Sequence, residues 1–212
     1  SKVKVRVESA KFTLDRIPAH ITRVVQDPEN HDFAGQLWFS EKFQWNDSDF
    51  SSKSNFEQPI IYECHIGMAQ EKLGVGTYAE FEELTLPRIK AAGYNTIQMM
   101  AIMEHPYYGS FGYHVSNFFA PTSRFGTPEE LKSLINRAHQ MEIAVVMDIV
   151  HSHAVKNVNE GLNEFDGSEN QYFHSGERGY HEGWDSKLFD YGKFQVQQFL
   201  LSNIRYWLEE FH

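Results

Sequence analysis

An acid and two histidines directly follow an apolar run in this sequence, at Val145-Val146-Met147-Asp148-Ile149-Val150-His151-Ser152-His153. The run predicts a strand that is buried on both faces and carries polar side chains at its carboxyl end. In barrel enzymes, that end of the strands holds the catalytic groups. A core strand whose Asp148 caps a turn and whose histidines are hydrogen-bonded loop residues would have the same sequence. The motif alone therefore leaves both interpretations open.

Two kinds of chemistry fit these side chains. Asp148, His151 and His153 resemble the carboxylate and imidazole ligands of a zinc site, although the other histidines do not fall at ligand spacing from them. Alternatively, Asp148 is one of the two carboxylates that a glycosidase places beside the scissile bond. No second carboxylate stands out in the sequence.

A loop rich in aromatic residues is a further candidate site. Residues 107–113 combine three tyrosines and a phenylalanine with two glycines. Flat rings in such a loop can lie under a sugar or another apolar face. The same rings could instead pack the loop onto the rest of the domain.

Composition and charge narrow the function classes. The 212-residue chain is 41% hydrophobic and 15% aromatic, and its 19 basic and 29 acidic residues give a net charge of -10. This charge argues against nucleic acid or an anionic membrane as the main partner. The sequence shows no apolar run of membrane-spanning length and no signal-peptide pattern, and its single cysteine, Cys64, fits a reducing compartment. We therefore expect a soluble cytoplasmic protein.

The pattern of apolar and polar residues changes at Pro59. Residues 1–46 alternate apolar and polar side chains over short stretches, which predicts a small β-rich region. The strands of this region are expected at residues 2–7, 21–25 and 36–39. Residues 47–58 are rich in serine and lack periodicity, so we expect a linker there.

Residues 59–212 predict three strand-helix units in succession. The strands are expected at residues 60–65, 96–100 and 143–148, and the helices from about residues 78, 127 and 194. Pro87 predicts a break or a new first turn in the first helix. Thr127-Pro128-Glu129-Glu130 marks the start of the second, since it supplies an N-cap, a proline at the first helical position and a capping-box glutamate. The segments 101–126 and 151–194 are predicted to be long loops, which are usually functional.

Successive strand-helix units predict a parallel sheet with right-handed crossovers. An open doubly wound sheet and part of an eight-fold barrel both fit this pattern. Gly74-Val75-Gly76 is too short for a glycine-rich phosphate loop, which disfavours a nucleotide fold. The polar residues after the three strands, among them Glu63, His65 and Asp148, are expected to converge at one edge of the sheet.

Several stretches of the chain follow a known pattern. They are Ile61-Tyr62-Glu63-Cys64-His65-Ile66-Gly67, Met103-Glu104-His105-Pro106-Tyr107-Tyr108-Gly109-Ser110-Phe111-Gly112-Tyr113, Phe119-Ala120-Pro121-Thr122-Ser123-Arg124-Phe125-Gly126-Thr127-Pro128-Glu129-Glu130-Leu131 and Asp148-Ile149-Val150-His151-Ser152-His153-Ala154. These stretches resemble the α-amylase superfamily of glycoside hydrolases, and within it the eukaryotic-type 1,4-α-glucan branching enzymes. Residues 11–45 are similar to the end of the glucan-binding β-sandwich that precedes the barrel in this family.

The resemblance implies an α/β fold that comprises the first three strand-helix units of a TIM (β/α)8 barrel, preceded by the end of an all-β carbohydrate-binding sandwich. It also implies retaining transglycosylation, in which an α-1,4-glucan is cleaved and the segment is rejoined by an α-1,6 bond in glycogen or starch biosynthesis. The implied partner is an α-glucan such as glycogen, amylose or an amylopectin-like chain. No metal, cofactor, nucleic acid or membrane is implied.

The resemblance also assigns roles to individual residues. Asp148 and His153 match the catalytic-site aspartate and histidine of the motif on the third strand, and His153 is expected to hydrogen-bond the sugar in the cleaved subsite. Asp148 is then expected to organise the site and not to act as the nucleophile. Tyr113 matches the tyrosine that stacks on the same sugar. Gln195 and Gln198 are candidates for a surface glucan site, although solvated residues at a helix start would have the same composition.

The family's catalytic groups are not all present in this sequence. The Arg-x-Asp motif that carries the nucleophile, the catalytic glutamate and the last His-Asp pair would lie beyond His212. We therefore expect the 212-residue chain to be inactive by itself and to self-associate through exposed strand edges. A glucan-binding or scaffolding protein without catalysis and a metal-dependent barrel hydrolase stay open as alternatives.

Overall fold

The structure is a computed structural model that describes residues 1–8, 12–39 and 42–212. The chain forms two compact units, and each is assembled from segments that are separate in the sequence. The first unit consists of Ser1–Trp38, Met103–Thr122 and Ile149–Glu210, and the second of Phe39–Ile102, Ser123–Asp148 and Phe211–His212. Within the described ranges, no helix has the length and apolar character needed to cross a membrane.

The described residues form short strands and helices throughout. The strands are β1 (Lys2–Val3), β2 (Val5–Glu8), β3 (Thr13–Arg16), β4 (Val24–Gln26), β5 (Phe33–Gln36), β6 (Ile61–Cys64), β7 (Thr96–Met99), β8 (Met103–Glu104), β9 (Asn117–Pro121), β10 (Ala144–Met147), β11 (His153–Val155), β12 (Tyr180–His181) and β13 (Ser186–Leu188). The α-helices are α1 (Lys53–Glu57), α2 (Tyr78–Glu80), α3 (Leu86–Ala91), α4 (Pro128–Gln140) and α5 (Phe194–Phe211). A π-helical turn (Phe81–Thr85) joins α2 to α3, and 3-10 helices occupy Ile66–Met68, Tyr108–Ser110, Gly176–Gly179 and Glu182–Trp184.

Two small antiparallel sheets open the first unit. One has the strand order β1-β5-β4, and β2 pairs with β3 in the other. The strand predicted at residues 36–39 was misplaced, because β5 ends at Gln36 and uses Phe33–Gln36 to pair with neighbours on both sides. Residues 9–11 and 40–41 of the predicted module lie outside the described residues. The proposed domain boundaries at 46 and 58 stay predictions.

The three strands predicted after Pro59 form a parallel sheet in the second unit, in the order β10-β7-β6. The central strand β7 buries Ile97 and Met99 completely. In contrast, Val145 and Val146 of β10 are only half-buried. The expectation of a strand buried on both faces was therefore wrong for the described residues, because β10 lies at the edge of this sheet and pairs with β7 alone.

Helix starts in the second unit follow the sequence signals closely. At the start of α4, the Thr127 hydroxyl accepts a hydrogen bond from the Glu130 backbone N–H at 3.2 Å, and the Glu130 carboxylate accepts one from the Thr127 N–H at 2.6 Å. This confirms the predicted capping box. The expected break or new first turn near Leu86 is replaced by a π-helical turn: α3 begins at Leu86 with Pro87 in its first turn, but the Leu86 N–H still donates to the Phe81 carbonyl, so the backbone stays helical.

The apolar stripe of α4 supplies much of the second unit's core. Leu131, Leu134, Ile135 and Ala138 are all completely buried. Burial of a leucine or isoleucine side chain stabilises a fold by roughly 1.5–3 kcal/mol, so this stripe fixes α4 beside β10, which follows it in the chain.

The residues of the predicted linker are tied to the second unit. The Asn55 side chain on α1 donates to the Asn95 carbonyl at 2.6 Å and to the Glu142 carbonyl at 3.0 Å, and only 5% of Asn55 is exposed. One amide therefore joins α1 to the residues that precede β7 and β10 in the chain.

The two segments predicted as long loops contain strands. In the first unit, β8 pairs with β9, and β11, β13 and β12 form a three-stranded antiparallel sheet. The prediction of loops at 101–126 and 151–194 was therefore wrong in these parts. β8, β11, β12 and β13 have only two or three residues and therefore carry no periodic sequence signal of their own, and the five residues of β9 are all buried, so they do not alternate either.

Candidate functional site

Asp148 directly follows β10, as the sequence predicted. Its backbone N–H donates to the Met99 carbonyl at 3.0 Å, and its Oδ1 accepts a hydrogen bond from Gln98 Nε2 at 2.9 Å. Both partners belong to β7, so the parallel pairing of β7 with β10 orients the carboxylate. Sequence reasoning missed Gln98, and a polar residue inside an otherwise apolar strand was the available signal.

Two other polar residues of the second unit were expected near Asp148. Glu63 of β6 lies opposite Gln98 in the strand register and is exposed, so it shares that face of the sheet. His65 is buried and packs edge-on against Phe125, with ring centroids 5.4 Å apart. Burial lowers the pKa of His65, which favours its neutral form.

His153 begins β11 in the first unit, and both its ring nitrogens have partners. Its Nε2 lies 2.9 Å from the Tyr113 carbonyl oxygen, and its Nδ1 lies 2.8 Å from the Ser152 hydroxyl. A carbonyl can only accept, so Nε2 carries the proton and Nδ1 accepts from Ser152. The predicted neighbours Tyr113 and His153 are therefore in direct contact.

The electrostatic surroundings keep His153 neutral. Burial lowers the pKa of its imidazole, the hydrogen bond to Tyr113 opposes this effect, and the nearby His114 and His181 lower the pKa further. A neutral imidazole can donate with one nitrogen and accept with the other. This property suits a residue that exchanges a protein hydrogen bond for one to a ligand hydroxyl.

Tyr113 is placed by a tight turn in the aromatic loop. A 3-10 helix, Tyr108–Ser110, is followed by Phe111 and Gly112 with φ angles of +54° and +93°. Such left-handed geometry is unusual for a phenylalanine and is typically retained at functional sites. The Tyr113 N–H donates to the Ser110 carbonyl at 3.0 Å, which closes the turn.

Trp184 lies beside His153, and sequence reasoning missed it. Its ring centroid is 5.0 Å from that of His153 and 4.1 Å from that of His181, which stacks on the indole with an interplanar angle of 17°. Its carbonyl lies 2.9 Å from His114 Nε2. Trp184 ends the 3-10 turn Glu182–Trp184 that connects β12 to β13, and both strands belong to the same antiparallel sheet as β11.

The two candidate glutamines lie on the first turns of α5 in the first unit. Gln195 and Gln198 are exposed, whereas Val196 and Phe199 between and beside them are buried. Phe194, at the start of the helix, is 67% exposed. Their side chains are accessible to a ligand, and the surface glucan site stays a prediction.

His151, the other histidine of the motif, has a structural partner. Its Nε2 donates to Asn203 Oδ1 on α5 at 2.7 Å. Across the described ranges 1–8, 12–39 and 42–212, no group of three or more His, Cys, Asp or Glu residues is placed to hold a metal ion.

Comparison with known proteins places this geometry in context. The family model of the α-amylase catalytic domain matches residues 82–210. The whole chain is 52% identical to a protein of Yarrowia lipolytica and 51% identical to one of Dictyostelium discoideum, both named 1,4-α-glucan-branching enzyme. It is also 52% identical to 1,4-α-glucan-branching enzyme 2-2 of Arabidopsis thaliana. The chain spans 31%, 31% and 26% of the length of these three relatives.

Solved structures are similar in fold. A Salmonella typhimurium protein of proposed α-amylase activity superposes with a TM-score of 0.76 at 22% identity, over 94% of this chain and 31% of that one. A maltogenic α-amylase of Thermotoga neapolitana gives a TM-score of 0.60 at 25% identity, over 74% of this chain and 38% of that one. These likenesses and the family match establish a mixed α/β fold of the TIM-barrel type.

Proposed function

The chain belongs to the α-amylase family, and from this premise we propose that it is part of a 1,4-α-glucan branching enzyme. The observation that carries the proposal is the identity of 51–52% over the whole chain to branching enzymes of a yeast and an amoeba. The Salmonella structure shares the fold with this chain at only 22% sequence identity. The 51–52% identity to the branching enzymes is therefore more than a shared fold requires.

Within this proposal, β6, β7 and β10 are the first three strands of the eight-stranded barrel. Their parallel order supports the assignment, since such barrels contain only parallel strands. The pairing of β6 supports it too, since within the described residues β6 pairs with β7 alone and Ile60 and Ile61 are 54% and 47% exposed. A closed barrel has no free strand edges. Residues 1–46 would be the end of the glucan-binding sandwich.

The proposed reaction transfers a glucan segment with retention. An α-1,4 bond breaks as a glycosyl-enzyme forms, and the 6-hydroxyl of another glucan chain then displaces the enzyme to form an α-1,6 bond. The nucleophile and the acid-base glutamate would come from sequence beyond these 212 residues. This chain would contribute Asp148 and His153 to site organisation and sugar binding.

The geometry around His153 suits its proposed role. The neutral ring holds a donor on Nε2 and an acceptor on Nδ1, and a sugar hydroxyl could replace either the Tyr113 carbonyl or the Ser152 hydroxyl as partner. The Tyr113 ring would lie under the same sugar. Gln98 would keep the Asp148 carboxylate oriented through the hydrogen bond to Oδ1.

An iodine assay tests the proposal. Amylose is incubated with a polypeptide that contains this chain at the full length of its relatives, and in parallel with the 212-residue chain alone. We expect the long form to lower the absorbance of the glucan-iodine complex and to create α-1,6 linkages that isoamylase cleaves. The 212-residue chain should do neither.

The control is the long form with Asp148→Asn, which we expect to bind amylose but to lose most of its branching activity. A long form that binds amylose without creating α-1,6 linkages would instead identify a non-catalytic glucan-binding protein. We also propose a cytoplasmic location, which fractionation of the source cells tests.

A further inference from the structure

Trp184 combines high exposure with a fixed orientation. It is 49% exposed, whereas Trp207 in the same unit is only 4% exposed. An indole that leaves half of its surface in water gives up much of the stabilisation that burial would provide. A half-exposed tryptophan therefore stabilises the fold less than a buried one, and a role in ligand binding explains its position better than packing does.

Contacts on its own turn hold the ring in place. The His181 imidazole stacks on the indole, and His181 Nδ1 accepts a hydrogen bond from the Trp184 backbone N–H at 3.1 Å. The turn Glu182–Trp184 then ends at Asp185, whose φ angle is +49°. An aromatic residue that is already ordered loses little conformational entropy when a ligand binds.

Asp185, the residue that follows the turn, is also held by hydrogen bonds. The Asp185 carboxylate accepts hydrogen bonds from Lys156 Nζ at 2.7 Å and from the Tyr180 hydroxyl. These bonds and the opposing charge on Lys156 lower the pKa of Asp185, so the carboxylate is charged at neutral pH. The turn is therefore fixed on both sides of Trp184.

The surroundings of the ring match a sugar more closely than a purely apolar ligand. A glucose unit has an apolar face of C–H groups and a rim of hydroxyls. The indole is a flat apolar surface that is 49% exposed. The His181 imidazole stacks on one part of it, and the His153 imidazole lies at a centroid distance of 5.0 Å with a tilt of 37°. Because His181 Nδ1 accepts a bond from the backbone, its other nitrogen carries the proton when the ring is neutral and can donate.

We propose that Trp184 is a substrate-binding residue that supplies an aromatic surface for a glucose unit of the α-glucan beside His153. The inference rests on the proposed function, because it names a further contact for the same substrate. Trp184 binds the sugar and does not take part in bond cleavage. Its loss should therefore weaken substrate binding and leave the chemical step nearly unchanged.

Kinetics of Trp184→Ala and Trp184→Tyr in the full-length polypeptide test this. We expect Trp184→Ala to raise the KM for amylose about 5- to 30-fold, the range that loss of one aromatic contact predicts, with kcat within about twofold of wild type. Trp184→Tyr keeps a flat ring and should restore KM to within about threefold. Phe56→Ala is the matched control, since Phe56 is an aromatic residue of similar exposure, 51%, and should leave KM unchanged.

A chemical measurement on the wild-type protein gives an independent answer. N-bromosuccinimide oxidises exposed tryptophans, and mass spectrometry of the peptide that contains Trp184 measures the rate. We expect saturating maltoheptaose to slow oxidation of Trp184 at least about fivefold, whereas sorbitol at the same concentration should not. This result decides the matter even if Trp184→Ala fails to fold.

The outcomes separate the inference from the proposed function. A wild-type protein that branches amylose, together with an unchanged KM in folded Trp184→Ala or unprotected Trp184, would overturn the inference and leave the function standing. Protection of Trp184 by maltoheptaose in a protein without branching activity would overturn the function and support the contact.

Discussion

Replacing Asn203 by leucine should destabilise the protein and change the acidity of His151 at the same time. Asn203 is completely buried on α5 and bridges two groups. Its Nδ2 donates to the Phe118 carbonyl at 2.8 Å, and its Oδ1 accepts from His151 Nε2 at 2.7 Å. Leucine has the same number and branching of side-chain heavy atoms as asparagine but can make neither bond.

The expected loss of stability follows from what each partner retains. The Phe118 carbonyl keeps a second donor, Trp207 Nε1 at 3.0 Å, so loss of that bond costs about 1 kcal/mol. His151 Nε2 loses its partner inside the protein, which costs about 1–3 kcal/mol. The free energy of unfolding should therefore fall by about 2–4 kcal/mol.

The same change predicts a shift in pKa whose sign can be checked. Burial lowers the pKa of His151, and the hydrogen bond that His151 donates to Asn203 partly opposes this effect. Asn203→Leu removes the opposing bond, so the pKa of His151 should fall further. Asn203→Asp keeps an acceptor and adds a negative charge, so the pKa should rise.

Urea denaturation at pH 7 and an NMR titration of the imidazole protons measure the two effects. Ser202→Ala, at the neighbouring exposed position of α5, is the matched control and should change the free energy of unfolding by less than about 0.5 kcal/mol. A loss of less than about 0.5 kcal/mol in Asn203→Leu, or pKa shifts of the same sign in the leucine and aspartate variants, would refute the reasoning.

Three further predictions concern reactivity, acid and backbone geometry. Burial raises the pKa of the Cys64 thiol to about 12, so a thiol reagent at pH 8 should react with Cys64 only at the rate of unfolding. The free energy of unfolding should also fall as the pH rises from about 9 toward about 12, because only the unfolded thiol ionises in that range. Burial lowers the pKa of four histidines, His20, His65, His151 and His153. The unfolded chain then binds more protons below about pH 6.5, so urea denaturation should show stability that is lost as the pH falls through the lowered values, and a stability that rises there would contradict this. Gly167→Ala should cost about 1–3 kcal/mol in the same assay, because Gly167 has a φ of +80° and an added Cβ would lie 2.2 Å from a Phe12 ring carbon.

Elements that carry their own local partners were predictable from the sequence. The capping box of α4 joins Thr127 and Glu130, which are three residues apart, so its hydrogen bonds form without help from the rest of the fold. The spacing of the apolar residues from Leu131 to Ala138 then predicts which face of α4 is buried. The three main parallel strands were similarly marked by apolar runs.

Elements that depend on distant partners were not predictable. β11 and β13 have three residues each, and their pairing joins His153 to Leu188 and Val155 to Ser186. Neither strand has enough length for a periodic pattern. The sequence therefore predicted a long loop at 151–194, because these strands form only by pairing with each other. The contact of Trp184 with His153 could not be predicted for the same reason.

The Gln98–Asp148 pair shows why a reactive residue can be predicted while its partner cannot. In the parallel register Gln98 lies opposite Val146, and Asp148 lies two residues beyond Val146. Side chains two residues apart on a strand point to the same face, so Gln98 and Asp148 become diagonal neighbours and form their 2.9 Å hydrogen bond. A slip of one residue would turn Asp148 toward the opposite face and break the pair. The end of an apolar run reveals Asp148, but this register arises only when β7 and β10 pack together, and nothing near either residue in the sequence specifies it.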